Sequence, residues 1–331
     1  MKRLAFCHAP TPVWHNARLD RLLGFELWVK RDDMTSGAAA GNKIRKLEYL
    51  LADALSHSAT TLITCGGAQS NHARATALLG REIGLRTLLL LRTSKPSEPP
   101  APVGNLLLDR LAGAELRYIT PEQYRDRALL MAQAAAELND RGEVAYVIPE
   151  GGSNGLGALG YVTFIEELLE QQRAGELPRD LDLIGFACGS GGTAAGIALG
   201  LGRFPEVAGR ALALAVCDDR AYFERVIADI SAEARRLQPA LLEPGPLEIR
   251  DDFKGPSYGV PSSQQLEFLL EVARVSGLIL DPTYTGKALF GLAQLSPKPR
   301  RALFVHTGGL PGLLAESELI ARAWARGASD S

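Results

Sequence analysis

The sequence predicts an α/β protein with mainly parallel, twisted sheets, and three observations predict it. Short apolar runs alternate with stretches of helical periodicity along most of the chain, as repeated βαβ units require. The 34 glycines and 19 prolines among 331 residues suit many short connections. The chain is also longer than one hydrophobic core comfortably fills, so two lobes or one large α/β unit are expected.

The apolar runs are LWVKR, ending at 31, TLITC (61–65), RTLLLLR (86–92), LRYI (116–119), VAYVI (144–148), LDLIGFAC (181–188), ALALAVC (211–217) and ALFVH (302–306). Helical patterns lie between them over roughly 43–56, 70–83, 121–140, 156–174, 192–202, 219–237, 262–276 and 311–325. The polar, proline-rich segment TSKPSEPPAP (93–102) reads as a surface loop or gate.

Composition removes several classes of function. Hydrophobic residues make up 46% and charged residues 22%, with a net charge of −2. With no basic excess, neither nucleic acid nor a membrane surface is an expected partner. No apolar run reaches the roughly 18 residues that a membrane span needs. The basic start MKRLAFCHAPTPVW lacks the apolar core of a signal peptide. Cys7, Cys65, Cys188 and Cys217 are widely spaced and form no CxxC pair, so a reducing cytoplasm is expected, with neither disulfides nor a metal site.

Three segments carry chemistry. In GAAAGNKIRKLEYLL (37–51), Ile44, Leu47, Leu50, Leu51, Ala54 and Leu55 repeat at helical spacing, with Asn42 as N-cap and Lys43 as the first helical residue. A cation facing the positive end of a helix dipole is disfavoured by about 0.3–1 kcal/mol, and a partly neutral amine is what Schiff-base chemistry needs. Alternatively, Lys43 and Lys46 form a solvated KxxK surface pattern. In CGGAQSNHARATALLG (65–80) a strand empties into glycines and then Ser70, Asn71 and His72 at a helix start, where an anion or carboxylate can bind. An ordinary capped helix explains that stretch equally well, and His72 alone reads as a structural hydrogen-bonding group.

The third segment is GFACGSGGTAAGIALG (185–200), where Gly189, Ser190, Gly191, Gly192 and Thr193 have the composition and context of a phosphate cradle. Gly189, Gly191 and Ala194 also satisfy GxGxxA, and Asp218 and Asp219 end the next strand, so an NAD-dependent oxidoreductase is a competing reading. Against it, a dinucleotide fold usually opens with its fingerprint strand, and this reading leaves the turns at Lys43 and Ser70 without a task.

Taken together, the segments resemble the fold-type II pyridoxal phosphate enzymes, the tryptophan synthase β-like group, and within it the D-cysteine desulfhydrase and 1-aminocyclopropane-1-carboxylate (ACC) deaminase family. The resemblance runs through VKRDDMTSG (29–37), GNKIRKLEYL (41–50), GGAQSNHAR (66–74), PEGGSNGLGALGYV (149–162), CGSGGTAAG (188–196), SYGVPS (257–262), LDPTYTGKAL (280–289) and HTGGLPGL (306–313). It implies a large cofactor-binding lobe, 1–50 with 160–331, and a small α/β lobe, 51–159. Pyridoxal 5′-phosphate is the implied cofactor, a small amino acid the substrate, and a homodimer the assembly.

Residue by residue, the resemblance makes Lys43 the Schiff-base lysine and sets Asn71 beside the cofactor's 3′-oxygen. Cys188 and Gly189 to Thr193 become the phosphate loop, with hydroxyls from Ser190 and Thr193. Ser70, with Asn71 and His72, lies at the substrate, and Tyr258 and Tyr284 are active-site tyrosines. ACC deaminases carry an acid directly after the tyrosine of the DPxY block, near the pyridine nitrogen. Here that position is Thr285, and HTGG makes Thr307 the hydroxyl at that nitrogen, as in the desulfhydrase branch. SNH, where deaminases usually read SNQ, points the same way. The implied reaction is β-elimination, most readily from D-cysteine, with the Lys43 amine taking the Cα proton and Tyr284 protonating the departing sulfur. L-cysteate and then ACC are the next substrates by this resemblance.

Overall fold

The computed structural model describes residues 1–329. Its strands are β1 (Val13–His15), β2 (Glu26–Lys30), β3 (Thr61–Gly67), β4 (Arg86–Arg92), β5 (Glu115–Ile119), β6 (Ala145–Val147), β7 (Leu183–Cys188), β8 (Ala211–Ala215), β9 (Leu247–Arg250) and β10 (Arg301–Val305). The helices are α1 (Ala17–Leu23), α2 (Lys43–Ser56), α3 (Asn71–Glu82), α4 (Gly104–Leu111), α5 (Pro121–Arg125), α6 (Arg127–Asn139), α7 (Gly155–Arg173), α8 (Gly192–Arg203), α9 (Arg220–Leu237), α10 (Ser263–Ser276), α11 (Thr285–Ala293), α12 (Leu310–Ala315) and α13 (Ser317–Ser329).

Two sheets organise these elements. One has six strands in the order β1-β2-β10-β7-β8-β9, parallel except for the β1–β2 pair. The other has four parallel strands in the order β5-β4-β3-β6. Buried on both faces, the central strands read as continuous apolar runs rather than as alternation. In β7, Ile184, Phe186 and Cys188 pack toward α7, α8 and α9, while Leu183 and Ala187 join α1, α10 and α11 on the opposite face. Each fully buried Leu or Phe of these layers contributes about 1.5–3 kcal/mol relative to exposure.

In the four-stranded sheet, Ile63, Cys65, Leu88 and Leu90 pack against Met131, Ala134 and Leu138 of α6. Helix α2 buries Ile44, Leu47, Leu50 and Leu51 against Leu62, Ala75 and Leu79. Its other side lies so close to α7 that a Cβ on Gly160 would come within 2.1 Å of the Arg45 carbonyl oxygen.

Sequence and structure differ where elements are short or deliberately broken. The helix expected over 121–140 breaks at Asp126 (φ −98°, ψ 24°), and the one over 311–325 breaks at Glu316 (φ −98°, ψ 25°). The first break lets Tyr124 and Arg127 both reach Glu150. Strands β1 and β9 and helices α1, α4 and α11 carry too little periodicity to be read from sequence. Residues 93–102 form an irregular, mostly exposed connection between β4 and α4.

Candidate active site

The carboxyl ends of β3, β7 and β10 lead into one pocket, the position at which parallel α/β sheets bind ligands. Lys43, Ser70, Asn71, His72, Cys188, Gly189, Ser190, Gly191, Thr193, Tyr258, Tyr284 and Thr307 line it, so residues more than 200 positions apart in the chain share a single wall. Gly192 alone of the expected set is absent from that wall, and its N–H is donated to Ser153 Oγ (3.2 Å).

Lys43 opens α2 as its first helical residue, but Asn42 is not a side-chain cap. Asn42 has helical backbone angles (φ −56°, ψ −20°), and its amide instead donates to Thr193 Oγ1 (3.2 Å). The approach to Lys43 is stapled from several sides. Thr35 Oγ1 accepts from Gly41 N (2.8 Å), Asn42 N donates to the Thr307 carbonyl (3.1 Å), and Arg74 donates to the carbonyl of Ala40 (2.5 Å). Gly41 has φ +131°, and a Cβ there would meet the Thr307 carbonyl at 3.0 Å, so only glycine fits without strain.

Burial pushes the Lys43 ammonium down from its ordinary value to about 8, against the opposing pull of Glu150. Desolvation is the largest cause of the shift. Lys46 is no surface residue either. It is almost fully buried, and its Nζ donates to the Gly151 carbonyl (3.2 Å) and Ser153 Oγ (3.1 Å). Burial, followed by the neighbouring charge of Lys43, holds Lys46 well below the usual lysine range.

The loop between β7 and α8 is built as a cradle. Gly191 precedes α8 with φ +81° and offers no side-chain cap. By contrast Ser70 caps α3 through Ala73 N, Asn154 caps α7, and Asp219 caps α9. Apart from the Gly192 N–H, which Ser153 Oγ accepts, the amino end of α8 is thus left open toward the pocket, as an anion site needs. Ser190 Oγ bonds Ser153 Oγ (2.8 Å), and a Cβ on Gly192 would come within 2.7 Å of Ser153 Oγ and 2.8 Å of Lys46 Nζ. Burial pushes the Cys188 thiol up to about 12, which makes it an inert neutral wall rather than a nucleophile.

Across the pocket, the Tyr258 and Tyr284 hydroxyls share a hydrogen bond of 2.6 Å, with their rings 6.0 Å apart and nearly perpendicular (73°). Burial pushes both phenols above their ordinary range, so both remain protonated. Asp281 positions Tyr284: its carboxylate accepts from the N–H groups of Thr283 (2.9 Å), Tyr284 (2.8 Å) and Thr285 (2.9 Å). Thr285 does not line the pocket. Its hydroxyl donates to Asp281 Oδ1 (2.7 Å) and accepts from Asp281 N (2.8 Å). Thr307 faces the pocket and, among the described residues, uses its carbonyl, not its hydroxyl, in the protein's own hydrogen bonds.

His72 is buried, with Nε2 bonded to Thr64 Oγ1 (2.9 Å). Burial, then the charges of Lys43 and Lys46, hold its imidazole neutral. Four further residues escaped sequence reasoning. Lys46, Ser153 and Glu150 stand within quoted motifs, but only the folding of 149–153 against α2 and α8 brings them to the site. Lys287 donates to the carbonyls of Lys254 (2.6 Å) and Ser257 (2.8 Å), pinning the loop before Tyr258.

Three observations fit pyridoxal phosphate: the uncapped helix end with Lys46 beside it, an amine at Lys43 that burial renders partly neutral, and Asn71 Oδ1, buried in the pocket wall without a partner. The family profile described as "Pyridoxal-phosphate dependent enzyme" matches residues 4–308. A putative 1-aminocyclopropane-1-carboxylate deaminase of Thermotoga maritima is 42% identical over 314 residues, covering 93% of this chain and 96% of the relative. A mitochondrial bifunctional D-cysteine desulfhydrase/1-aminocyclopropane-1-carboxylate deaminase of Arabidopsis thaliana is 42% identical over 323 residues, covering 93% of this chain and 78% of the relative. The crystal structure of an ACC deaminase homologue superposes with a TM-score of 0.89 at 34% identity, covering 98% of this chain and 96% of that one. A threonine deaminase, at 19% identity and a TM-score of 0.62 over 90% of this chain and 92% of its own, shares the fold. The chain therefore belongs to the fold-type II pyridoxal phosphate-dependent enzymes, in the family that includes ACC deaminases and D-cysteine desulfhydrases.

Proposed function

We propose that the protein is a β-elimination lyase acting on D-cysteine, which with one water yields pyruvate, hydrogen sulfide and ammonia. The observation that carries this reading is the turning of Thr285 onto Asp281, which leaves Thr307 as the hydroxyl lining the pocket after β10. Among the described residues, the one acidic side chain in the pocket wall is Glu150, and it is held by Tyr124 (2.6 Å) and Arg127 (2.9 Å). A carboxylate beside a ring nitrogen favours its protonated form, whereas a hydroxyl does not. The weaker electron sink suits loss of a good leaving group from Cβ better than opening of an unactivated ring.

Bound pyridoxal phosphate supplies a sink for the electron pair that develops at the substrate's Cα. The open end of α8, Ser190, Ser153 and Lys46 would hold its phosphate, and Thr307 and Asn71 its ring. Ser70, whose Oγ already accepts from Ala73 N, keeps a hydroxyl proton to donate to the substrate carboxylate. The Lys43 amine, partly neutral near pH 8, takes the Cα proton as general base. Tyr284, protonated and bonded to Tyr258, donates to the departing sulfur.

ACC deamination is the second reading, favoured by the names of the relatives. Release of pyruvate from D-cysteine, L-cysteine and L-cysteate, and of 2-oxobutyrate from ACC, measured in parallel, tests both. Sulfide and pyruvate from D-cysteine in equal amounts are expected. Pyridoxal phosphate-loaded protein that converts ACC to 2-oxobutyrate and ammonia while leaving D-cysteine untouched would overturn the proposal.

A further inference from the structure

The two tyrosines that meet at the pocket belong to separate segments, and their alignment depends on what joins those segments. Tyr284 directly precedes α11, whereas Tyr258 stands in the connection between β9 and α10. Their hydroxyl oxygens lie 2.6 Å apart. Tyr284 can give its proton to a departing group only while its oxygen accepts the proton of Tyr258. The place of Tyr258 therefore decides where the Tyr284 O–H points.

Lys287 joins them. It lies in the first turn of α11, three residues after Tyr284, and is only 1% exposed. Its Nζ donates to the carbonyls of Lys254 (2.6 Å), Ser257 (2.8 Å) and, after β8, Val216 (3.4 Å). An ammonium has three N–H donors, and here three backbone oxygens from two other segments converge on them. Burial pushes this ammonium down to about 8, although Cys217 and Asp281 oppose the shift. Carbonyl dipoles offset the cost of burying the cation, and without the cation they would point at one another across a gap. The ends of the segment are anchored separately. The Phe253 carbonyl accepts from Gln265 Nε2 (2.7 Å), its ring meets that of Phe290 at 6.1 Å, and Ser257 pairs with Val260. Between these points, among the described residues, the hydrogen bonds that hold 254–257 to α11 are those of Lys287.

We propose that Lys287 is a positioning residue for the departure of the leaving group: its ammonium ties 254–257 to α11, so that Tyr258 holds the Tyr284 O–H toward the departing atom. This rests on the lyase reading and adds to it a residue outside the pocket wall. In that step the Cα proton passes to the Lys43 amine, and the Cβ–S bond breaks with its electron pair on sulfur. The Tyr284 proton goes to that sulfur, and Tyr284 recovers a proton from solvent before the next turnover.

The test compares two leaving groups. 3-Chloro-D-alanine loses the same Cα proton but sheds chloride, which departs with its electron pair and needs no proton. Lys287→Met is expected to lower kcat/KM for D-cysteine about 10- to 100-fold and that for 3-chloro-D-alanine by less than about threefold, because only the thiolate draws on a placed acid. Hydrogen exchange of the cofactor-loaded protein, read by mass spectrometry, should quicken over 253–262 in this variant and stay unchanged over β3, β7 and β10. Lys287→Ala gives an independent arm. Ammonium chloride refills the space among the three carbonyls and slows exchange over 253–262 toward wild type, whereas tetramethylammonium chloride, which has no N–H, does not. Equal losses with the two substrates overturn the proposal, as does exchange in Lys287→Ala that the two salts affect alike. Exchange that quickens across the whole six-stranded sheet assigns Lys287 to the fold at large and also overturns it. If no amino acid yields pyruvate but exchange over 253–262 depends on Lys287 and on ammonium, the lyase reading fails and the tie between the tyrosines stands.

Discussion

Helix α2 carries buried cations on two faces, and they live under opposite conditions. On one face Arg45 is almost fully enclosed, yet every contact of its guanidinium finds an answer. It is bidentate to Asp32 (2.9 and 2.8 Å), bonded to Glu167 (2.8 Å), and 5.0 Å from the Phe164 ring centre. Tyr161 completes Asp32 (2.7 Å), and Lys30 joins Glu167 and the Thr11 carbonyl (2.6 Å). Burial pushes the Glu167 carboxyl up, but Arg45 and Lys30 outweigh it and hold it at about 2. On the other face, Lys43 and Lys46 have no carboxylate within salt-bridge distance among the described residues, and burial shifts both toward the neutral amine. A buried charge is tolerated when it is paired and hydrogen-bonded; without a partner it neutralises or awaits a ligand. The paired face holds the fold, and the unpaired face awaits the cofactor.

The comparison can be broken first at its paired side. Arg45→Met strands Asp32 and Glu167 in the interior, and equilibrium denaturation should show a loss of about 3–5 kcal/mol, the usual cost of removing one partner of a buried pair. An effect under about 1 kcal/mol would mean that the network is structurally idle. The same variant should flatten the acid side of the stability profile. Glu167 is depressed in the folded state, so its stabilisation is present above the ordinary pKa of 4.5 and is lost as pH falls toward about 2.

Lys46→Met makes the converse test. It should weaken pyridoxal phosphate binding by about 1.5–3 kcal/mol, the worth of a hydrogen bond to a charged group, while moving the cofactor-free fold by less than about 1 kcal/mol. Equilibrium dialysis and denaturation of the cofactor-free protein read the two numbers. Loss of fold stability without loss of affinity would assign Lys46 to the structural face.

The smallest expected effect sharpens the position of Lys43. Only the neutral amine attacks an aldehyde, so capture of added pyridoxal phosphate by cofactor-free protein should accelerate with pH up to about 8 and then level off. An ordinary lysine would keep accelerating toward 10.5. Rapid-mixing absorbance distinguishes these profiles, and Lys43→Ala should abolish the borohydride-reducible signal altogether.

Much of this protein was decided locally and was therefore legible in the sequence. Apolar runs buried on both faces specified the central strands, 3.6-residue periodicity specified α2, α7 and α9, and the glycine-bearing turns at 66–70 and 189–193 marked where strands open into helices. Local patterning could not decide pairing or charge state. Asn42 has the composition of a cap, but its amide is taken by Thr193, 151 positions away. Lys43 and Lys46 match a solvated surface pattern, and only the packing of α2 against 149–153 and α8 removes them from water. The break at Asp126 has no signal of its own, and the Glu150 that Tyr124 and Arg127 reach across it lies on another segment. Sequence by itself determined the central strands, the long periodic helices, the glycine-bearing turns and the family, since backbone propensity and side-chain periodicity act over a few residues. Tertiary structure alone decided which cations would be paired, because desolvation and ion pairing depend on neighbours that the fold supplies.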